Sequence, residues 1–158
     1  MEGHRWMLFG IGLWILGGCA GTTVMNHEGR AVDPMMDMLH RGILDLDENV
    51  RELNGRIAEL QQMPPVQDPL VHELRALDLS GWQLHQQQWI MQRERLLFAL
   101  HQIQRARTHP TERSDLWAQW TTRQEQFVTA LEDLRAQRHA LEKKRLAVES
   151  QLLERYFK

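Results

Sequence analysis

The only cysteine of this 158-residue chain, Cys19, is the side chain with the strongest chemistry of its own. A disulfide scaffold needs paired cysteines and a zinc site usually needs several ligands, so Cys19 alone predicts neither. It closes an apolar run that begins near Trp6 after a short basic start, and Gly17 and Gly18 directly precede it. A basic start, an apolar run and a small-residue cleavage site are typical of a secretory signal peptide.

The segment Leu16-Gly17-Gly18-Cys19 resembles the lipobox of bacterial lipoproteins. The resemblance implies that residues 1–18 are removed, that the Cys19 thiol takes a diacylglycerol and that the new amino terminus is acylated. Each buried CH2 of these chains contributes about 0.8 kcal/mol to membrane anchoring. In that family an Asp after the cysteine favours inner-membrane retention, so Ala20 implies the outer membrane, facing the periplasm, with the inner membrane as the alternative. An uncleaved transmembrane helix is the other interpretation, although the apolar run is short for a ~30 Å hydrocarbon core.

The sequence shows no group of residues with the pattern of a catalytic site. Ser80, Ser114 and Ser150 lack the Gly-rich turn that presents a nucleophilic serine, and no glycine-rich phosphate loop occurs. Neighbouring carboxylates such as Asp45 and Asp47 fit a regular helix and are interpreted as a solvated face. We therefore predict no catalytic residue, no cofactor and no enzymatic activity.

The spacing of potential metal ligands gives little support for a metal site. Of the seven histidines after Cys19, no two stand at i and i+4, the spacing that places two ligands on one helix face. Met25, Met35, Met36 and Met38 cluster and could serve a soft ion such as Cu(I). The alternatives are packing for Met36 and Met38 and an unordered segment for Met25, and we predict no specific metal site.

Composition predicts an all-α chain. The formal net charge is −2 with both signs interspersed, and the absence of a basic block argues against a nucleic-acid partner. Leu, Gln, Arg, Glu and Ala, all good helix formers, dominate after residue 33. We expect residues 19–33 to form the lipidated amino terminus and a flexible tether, and residues 34–158 to form one helical domain with helices at about 34–62, 69–107 and 111–158.

Two Asp-Pro pairs predict helix starts, because Asp can cap a helix and Pro suits its first position. They are Asp33-Pro34 and Asp68-Pro69, while Pro64-Pro65 and Pro110 predict breaks. The first helix carries an unbroken stripe of apolar residues at spacings of three and four. Its members are Met36, Leu39, Ile43, Leu46, Val50, Leu53, Ile57 and Leu60.

The second helix carries two apolar stripes about 120° apart, so it is expected to lie between two neighbours. In an antiparallel pair of helices, the residue numbers of two facing positions always add up to the same value. That value defines the register of the pair. Helices two and three pair Leu70 with Val148, Leu84 with Leu134 and Phe98 with Trp120; helices one and two pair Val50 with Trp82, Ile43 with Trp89 and Met36 with Leu96. The prediction is an elongated up-down-up antiparallel three-helix bundle resembling a coiled coil.

These registers assign roles to the large polar and aromatic residues. Trp82 and Trp89 are expected in the core, and His85 is expected near Asp133. Trp117 and Trp120 lie close to the second turn, where they could cap the bundle or touch the headgroups of a membrane. Four polar residues near the seams are interpreted either as register-fixing groups or as a solvated edge; they are Gln88, Arg95, Gln124 and Arg138.

The carboxyl-terminal residues 150–158 should project beyond the second helix. They carry Leu152, Leu153, Tyr156 and Phe157, an apolar cluster of the kind that marks a partner contact when it is exposed. The alternative is that this segment folds back over the Pro64-Pro65 loop.

The function expected from these features is that of a lipid-anchored, non-enzymatic envelope spacer, adaptor or structural component that binds an envelope protein or itself. The ending Arg155-Tyr156-Phe157-Lys158 is similar to that of the murein lipoprotein, whose terminal lysine is linked to peptidoglycan. The alternative function is a helical periplasmic metal-sensing or chaperone-like protein. Trp120-Thr121-Thr122-Arg123-Gln124 slightly resembles the Leu-Thr-x-x-Gln segment of that family.

Overall fold

The computed structural model describes residues 24–25 and 31–157, and the described chain is predominantly α-helical. Its helices are α1 (Pro34–Gln62), α2 (Pro69–Thr108) and α3 (Arg113–Tyr156), with a 3-10 turn at Pro110–Glu112 before α3. The predicted all-α class with three helices is confirmed, and each observed boundary lies within two residues of the predicted one. Within the predicted tether, β1 (Val24–Met25) pairs antiparallel with β2 (Ala31–Val32).

Both Asp-Pro pairs start a helix in the expected way. Asp33 Oδ1 accepts a hydrogen bond from the Met35 amide at 2.9 Å, and Asp68 Oδ1 accepts one from the Leu70 amide at 2.8 Å. Each carboxylate thereby satisfies an amide that has no partner inside the first helical turn, and its charge is favourable at the positive end of the helix.

The chain divides into two compact units. Unit 1 comprises the described residues up to 44 together with 94–126, and unit 2 comprises residues 45–93 and 127–157. All three helices contribute to the core of unit 1. One cluster of buried residues there comprises Leu39, Ile43, Ala99, Leu100, Ile103 and Trp120.

Unit 1 confirms one predicted contact between α2 and α3. The rings of Phe98 and Trp120 stack with centroids 5.9 Å apart. Trp120 is therefore a core residue rather than a surface cap, and Trp117 packs against the same cluster. Met35 and Met36 also pack there, which agrees with the packing interpretation of Met36. Met38 is 38% exposed, so the same interpretation was wrong for Met38.

The core of unit 2 comes from α1 and α3. Leu53 and Ile57 of α1 and Phe127, Leu131 and Val148 of α3 are buried. The α2 segment of this unit is half-buried on several faces and has no fully buried residue. Trp82 and Trp89 are accordingly half-buried rather than members of a closed core.

The predicted register between α1 and α2 was wrong by about one seven-residue repeat. In unit 2, Trp82 packs under Arg56 instead of Val50, with the guanidinium carbon 5.1 Å from the ring centroid. Gln86 donates to Asn54, and Arg93 pairs with Asp47. The three contacts are displaced by six, eight and eight residues, which is close to one heptad, because sliding by one heptad leaves the apolar stripes facing each other.

Burial predicts contrasting costs for two leucines of α1. Leu39 is 2% exposed and Leu44 is 67% exposed. Leu39→Ala should lower the free energy of unfolding by about 2–5 kcal/mol, because it removes buried methyl groups and leaves a cavity. Leu44→Ala should change it by less than about 0.5 kcal/mol. Urea unfolding of the two variants measures the difference, and equal losses would contradict this assignment of the core.

Candidate functional site

The predicted contact residues lie at the carboxyl end of α3, within unit 2. Leu153, Tyr156 and Phe157 are 58%, 65% and 84% exposed, whereas Leu152 is half-buried. The helix continues without interruption to Tyr156. Arg155 and Tyr156 bind Asp68 directly before α2, so the prediction that residues 150–158 project beyond the start of α2 was wrong. Leu153 and Tyr156 are thus presented to solvent from the last turns of α3, and Phe157 directly after them.

A polar clasp holds this end of α3 beside the start of α2. The Tyr156 hydroxyl donates to Asp68 Oδ2 at 2.8 Å, and Arg155 Nη1 lies 3.2 Å from the same oxygen. Asp68 therefore caps α2 and also binds two side chains of α3. The Tyr156 hydrogen bond is the largest influence that lowers the pKa of Asp68, and the same bond raises the pKa of Tyr156.

The loop before Asp68 is closed by a second contact. Arg75 of α2 donates to the backbone carbonyl of Pro64, which lies just after the end of α1. Because backbone carbonyls in a loop have no helical partner, this hydrogen bond satisfies one of them. The loop and the end of α3 are thus both bound to the first turns of α2.

Leu146 extends the exposed apolar surface and was not among the predicted contact residues. It is 54% exposed and stands seven residues before Leu153, so the two side chains share one helix face. The seven-residue spacing was the available signal. Leu146 was overlooked because the inward apolar stripe of the same helix, which includes the buried Val148, is the stronger pattern.

The four polar seam residues pair with one another between α2 and α3. In unit 1, Arg95 Nε donates to Gln124 Oε1 at 2.6 Å. In unit 2, Arg138 Nη1 donates to Gln88 Oε1 at 2.8 Å. The Arg95–Gln124 pair lies close to the predicted α2–α3 register, whereas the exposed Arg138–Gln88 pair is displaced from it by eight residues and belongs to the solvated edge. Burial lowers the pKa of the Arg95 guanidinium.

His85 does not meet the partner that the sequence predicted. Its ring lies between Trp82 and Trp89, with centroids 6.2 and 5.4 Å away, on the same helix. Burial lowers the pKa of His85, and the charge of Arg138 lowers it further. Arg138 rather than Asp133 therefore supplies the electrostatic environment of this histidine from α3.

The residues of the proposed lipid attachment lie outside the described part of the chain: Leu16, Gly17, Gly18 and Cys19. Lys158 lies outside it as well. Across residues 24–25 and 31–157, no three His, Cys, Asp or Glu side chains are grouped as a metal site requires. None of the helices described there combines the length and apolar character that a membrane crossing demands.

The Arg95–Gln124 hydrogen bond should contribute measurably to stability. A double-mutant cycle with Arg95→Ala and Gln124→Ala should give a coupling energy of about 1–2 kcal/mol, because the bond is charge-assisted and partly buried. The exposed Arg138–Gln88 pair is the matched control and should couple by less than about 0.5 kcal/mol. Denaturant unfolding gives both values, and a coupling at Arg95–Gln124 no larger than the control would refute its role.

The Asp68 clasp makes a prediction about pH. Since the pKa of Asp68 is lowered in the folded chain, its stabilising effect is present above the unfolded value of 3.8 and is lost as pH falls through the folded value. Tyr156→Phe removes only the hydroxyl and should raise the pKa of Asp68. NMR titration of the side-chain carboxyl measures this shift, with Asp33 as the internal control. An unchanged pKa of Asp68 in the Tyr156→Phe variant would contradict the hydrogen bond between these two side chains.

Comparisons with known proteins do not assign this chain to a family. No family model matches the chain, and neither a curated protein nor a solved structure matches it. Its function is accordingly inferred from its own residues, of which the exposed end of α3 and the lipobox-like segment carry the most information.

Proposed function

We propose that this chain is a lipid-anchored envelope protein that acts as a non-enzymatic spacer, adaptor or interaction component. The segment Leu16-Gly17-Gly18-Cys19 supports an anchor at Cys19, and Ala20 supports the periplasmic face of the outer membrane. The observation that carries the proposal is the exposure of Leu153, Tyr156 and Phe157 at the end of α3.

The chemistry of this surface is that of a protein-binding surface. Neighbouring exposed apolar side chains mark interaction sites, and aromatic residues are enriched at the centres of protein interfaces. Leu153, Tyr156 and Phe157 have the required size and exposure. Burying the two rings and the leucine against a partner would release water from three large apolar groups.

The clasp with Asp68 favours binding by reducing its entropic cost. Hydrogen bonds from Tyr156 and Arg155 to Asp68 hold the last turn of α3 in place before any partner arrives. A surface that is already ordered loses less side-chain and backbone freedom on association. The polar atoms of Tyr156 are satisfied within the chain, which leaves the ring available for apolar contact.

A photocrosslinking experiment in intact cells tests the proposal. A photoreactive residue replaces Phe157 in the full-length chain, and the matched control replaces Leu44, which is also exposed but lies on α1. Position 157 should give a discrete protein adduct at several times the yield of position 44. Equal yields or no adduct at position 157 would contradict a contact surface at the end of α3.

The same experiment tests the anchor when it is repeated with Cys19→Ser. The native chain should be found in the outer-membrane fraction, and Cys19→Ser should release it and abolish the adduct at position 157. A native chain in the soluble fraction would contradict the anchor, since acylated chains confer stable membrane attachment. An adduct that survives Cys19→Ser would show that the contact does not depend on the anchor.

A further inference from the structure

A histidine takes part in the packing of α2 in unit 2. The His85 ring lies between the rings of Trp82 and Trp89, with centroid distances of 6.2 and 5.4 Å, and these three side chains form a ring row. All three are half-buried, and residues 69–93 of α2 include no fully buried residue. This stretch of α2 is therefore held by half-buried side chains, of which the two tryptophans are the largest.

A cation of α1 approaches the ring row. The guanidinium carbon of Arg56 lies 5.1 Å from the ring centroid of Trp82, which is a distance typical of a cation–π contact. Arg56 also pairs with Glu52 at 2.6 Å. The neighbouring contact between the two helices, in which Gln86 donates to Asn54, is neutral. The Trp82 ring thus already attracts one cation, and the carboxylate beside this cation is already paired.

A second cation faces the ring row from α3. The two helices approach closely one turn before His85, because a Cβ at Gly81 would lie 3.3 Å from Leu141 Cδ2. Arg138 donates to Gln88 at 2.8 Å, one turn after His85, and its charge acts on the imidazole. Across residues 24–25 and 31–157, no carboxylate pairs with His85. A proton on His85 would therefore add a charge without an acidic partner.

We propose that His85 is an acid-sensitive packing contact, and that its protonation disrupts the ring row and loosens residues 69–93 of α2 from α1 and α3. The neutral imidazole stacks between the indoles, whereas a charged ring that is half-buried and unpaired is costly. Attraction to the indoles offsets only part of this cost, since Arg56 already lies over Trp82. The charged ring regains its hydration by leaving the row. This device depends neither on the anchor nor on the contact surface proposed above.

The direction of the pH effect follows from the environment of the imidazole. Burial, and then the charge of Arg138, lowers the pKa of His85 below its ordinary value of 6.5. The unfolded chain therefore binds this proton more readily than the folded chain does. Stability is complete above the ordinary value and is lost as pH falls from that value through the folded one. Asp68, whose pKa is lowered from 3.8, keeps its charge in this range, so its clasp does not contribute to the effect.

Hydrogen exchange of the full-length chain between about pH 7.5 and about pH 5 tests the proposal. The protection factors of the backbone amides of residues 81–90, corrected for the intrinsic pH dependence of exchange, should fall several-fold as the His85 Cε1 proton titrates in NMR spectra. Protection that stays constant or rises as His85 becomes charged would overturn the proposal. A His85 titration midpoint at or above that of the chain unfolded in urea would also overturn it.

Two substitutions separate the charge of His85 from its packing. His85→Phe keeps a ring in the row and cannot take a proton, so protection should not fall in acid. His85→Gln removes the ring and should likewise show no acid-induced fall. The matched control is His72→Gln, at an exposed histidine of the same stretch of α2, which should keep the acid response of the native chain. A fall of native size in either His85 variant, or its loss in His72→Gln, would overturn the proposal.

Discussion

The packing of these helices depends on polar contacts between them. These contacts favour one register over others that would also bring the apolar stripes together. Helices with a seven-residue apolar repeat can slide by one repeat while their stripes still face each other. In unit 1, the Arg95–Gln124 hydrogen bond and the Phe98–Trp120 stack occur in the same register. A slide would leave a half-buried guanidinium without that acceptor, which costs more than the hydrogen bond contributes. Apolar burial drives the association, and this pair decides which association forms.

The same constraint explains which parts of the fold could be predicted. Helix starts follow from local chemistry, since the Asp33 and Asp68 carboxylates bind amides two residues away. The stacking of Phe98 on Trp120 follows from the α2–α3 register. The α1–α2 register depends on exposed polar contacts such as Gln86 with Asn54, which an apolar pattern does not contain. A pattern with a period of seven cannot distinguish two registers that differ by seven.

The candidate site could also be predicted only in part, because its polar contacts join residues that are far apart in the sequence. Tyr156 and Phe157 were expected to be exposed because α3 was predicted to extend past the start of α2, but Arg155 and Tyr156 instead bind Asp68 at that start. The bond from Tyr156 to Asp68 joins residues 88 positions apart, and Asp68 was recognisable from its neighbours only as a cap. Its second oxygen remained available for a tertiary contact, because the capping bonds to Leu70 and Val71 both use Oδ1. One carboxylate thus links the start of one helix to the end of another.

An outward apolar stripe on α3 is difficult to explain by the stability of unit 2 alone. The inward side of the same turns is already occupied by buried Val148, and Arg145 binds Asp78, Glu142 and Glu149 around it. Leu146 and Leu153 are 54% and 58% exposed, so a polar residue at either position would remove less buried apolar surface than at Val148. A helix that carries apolar residues on two opposite faces is suited to two neighbours. In unit 2, α3 contributes buried residues to the core and binds α2 through Arg145 and Asp78, while Leu146 and Leu153 remain largely exposed.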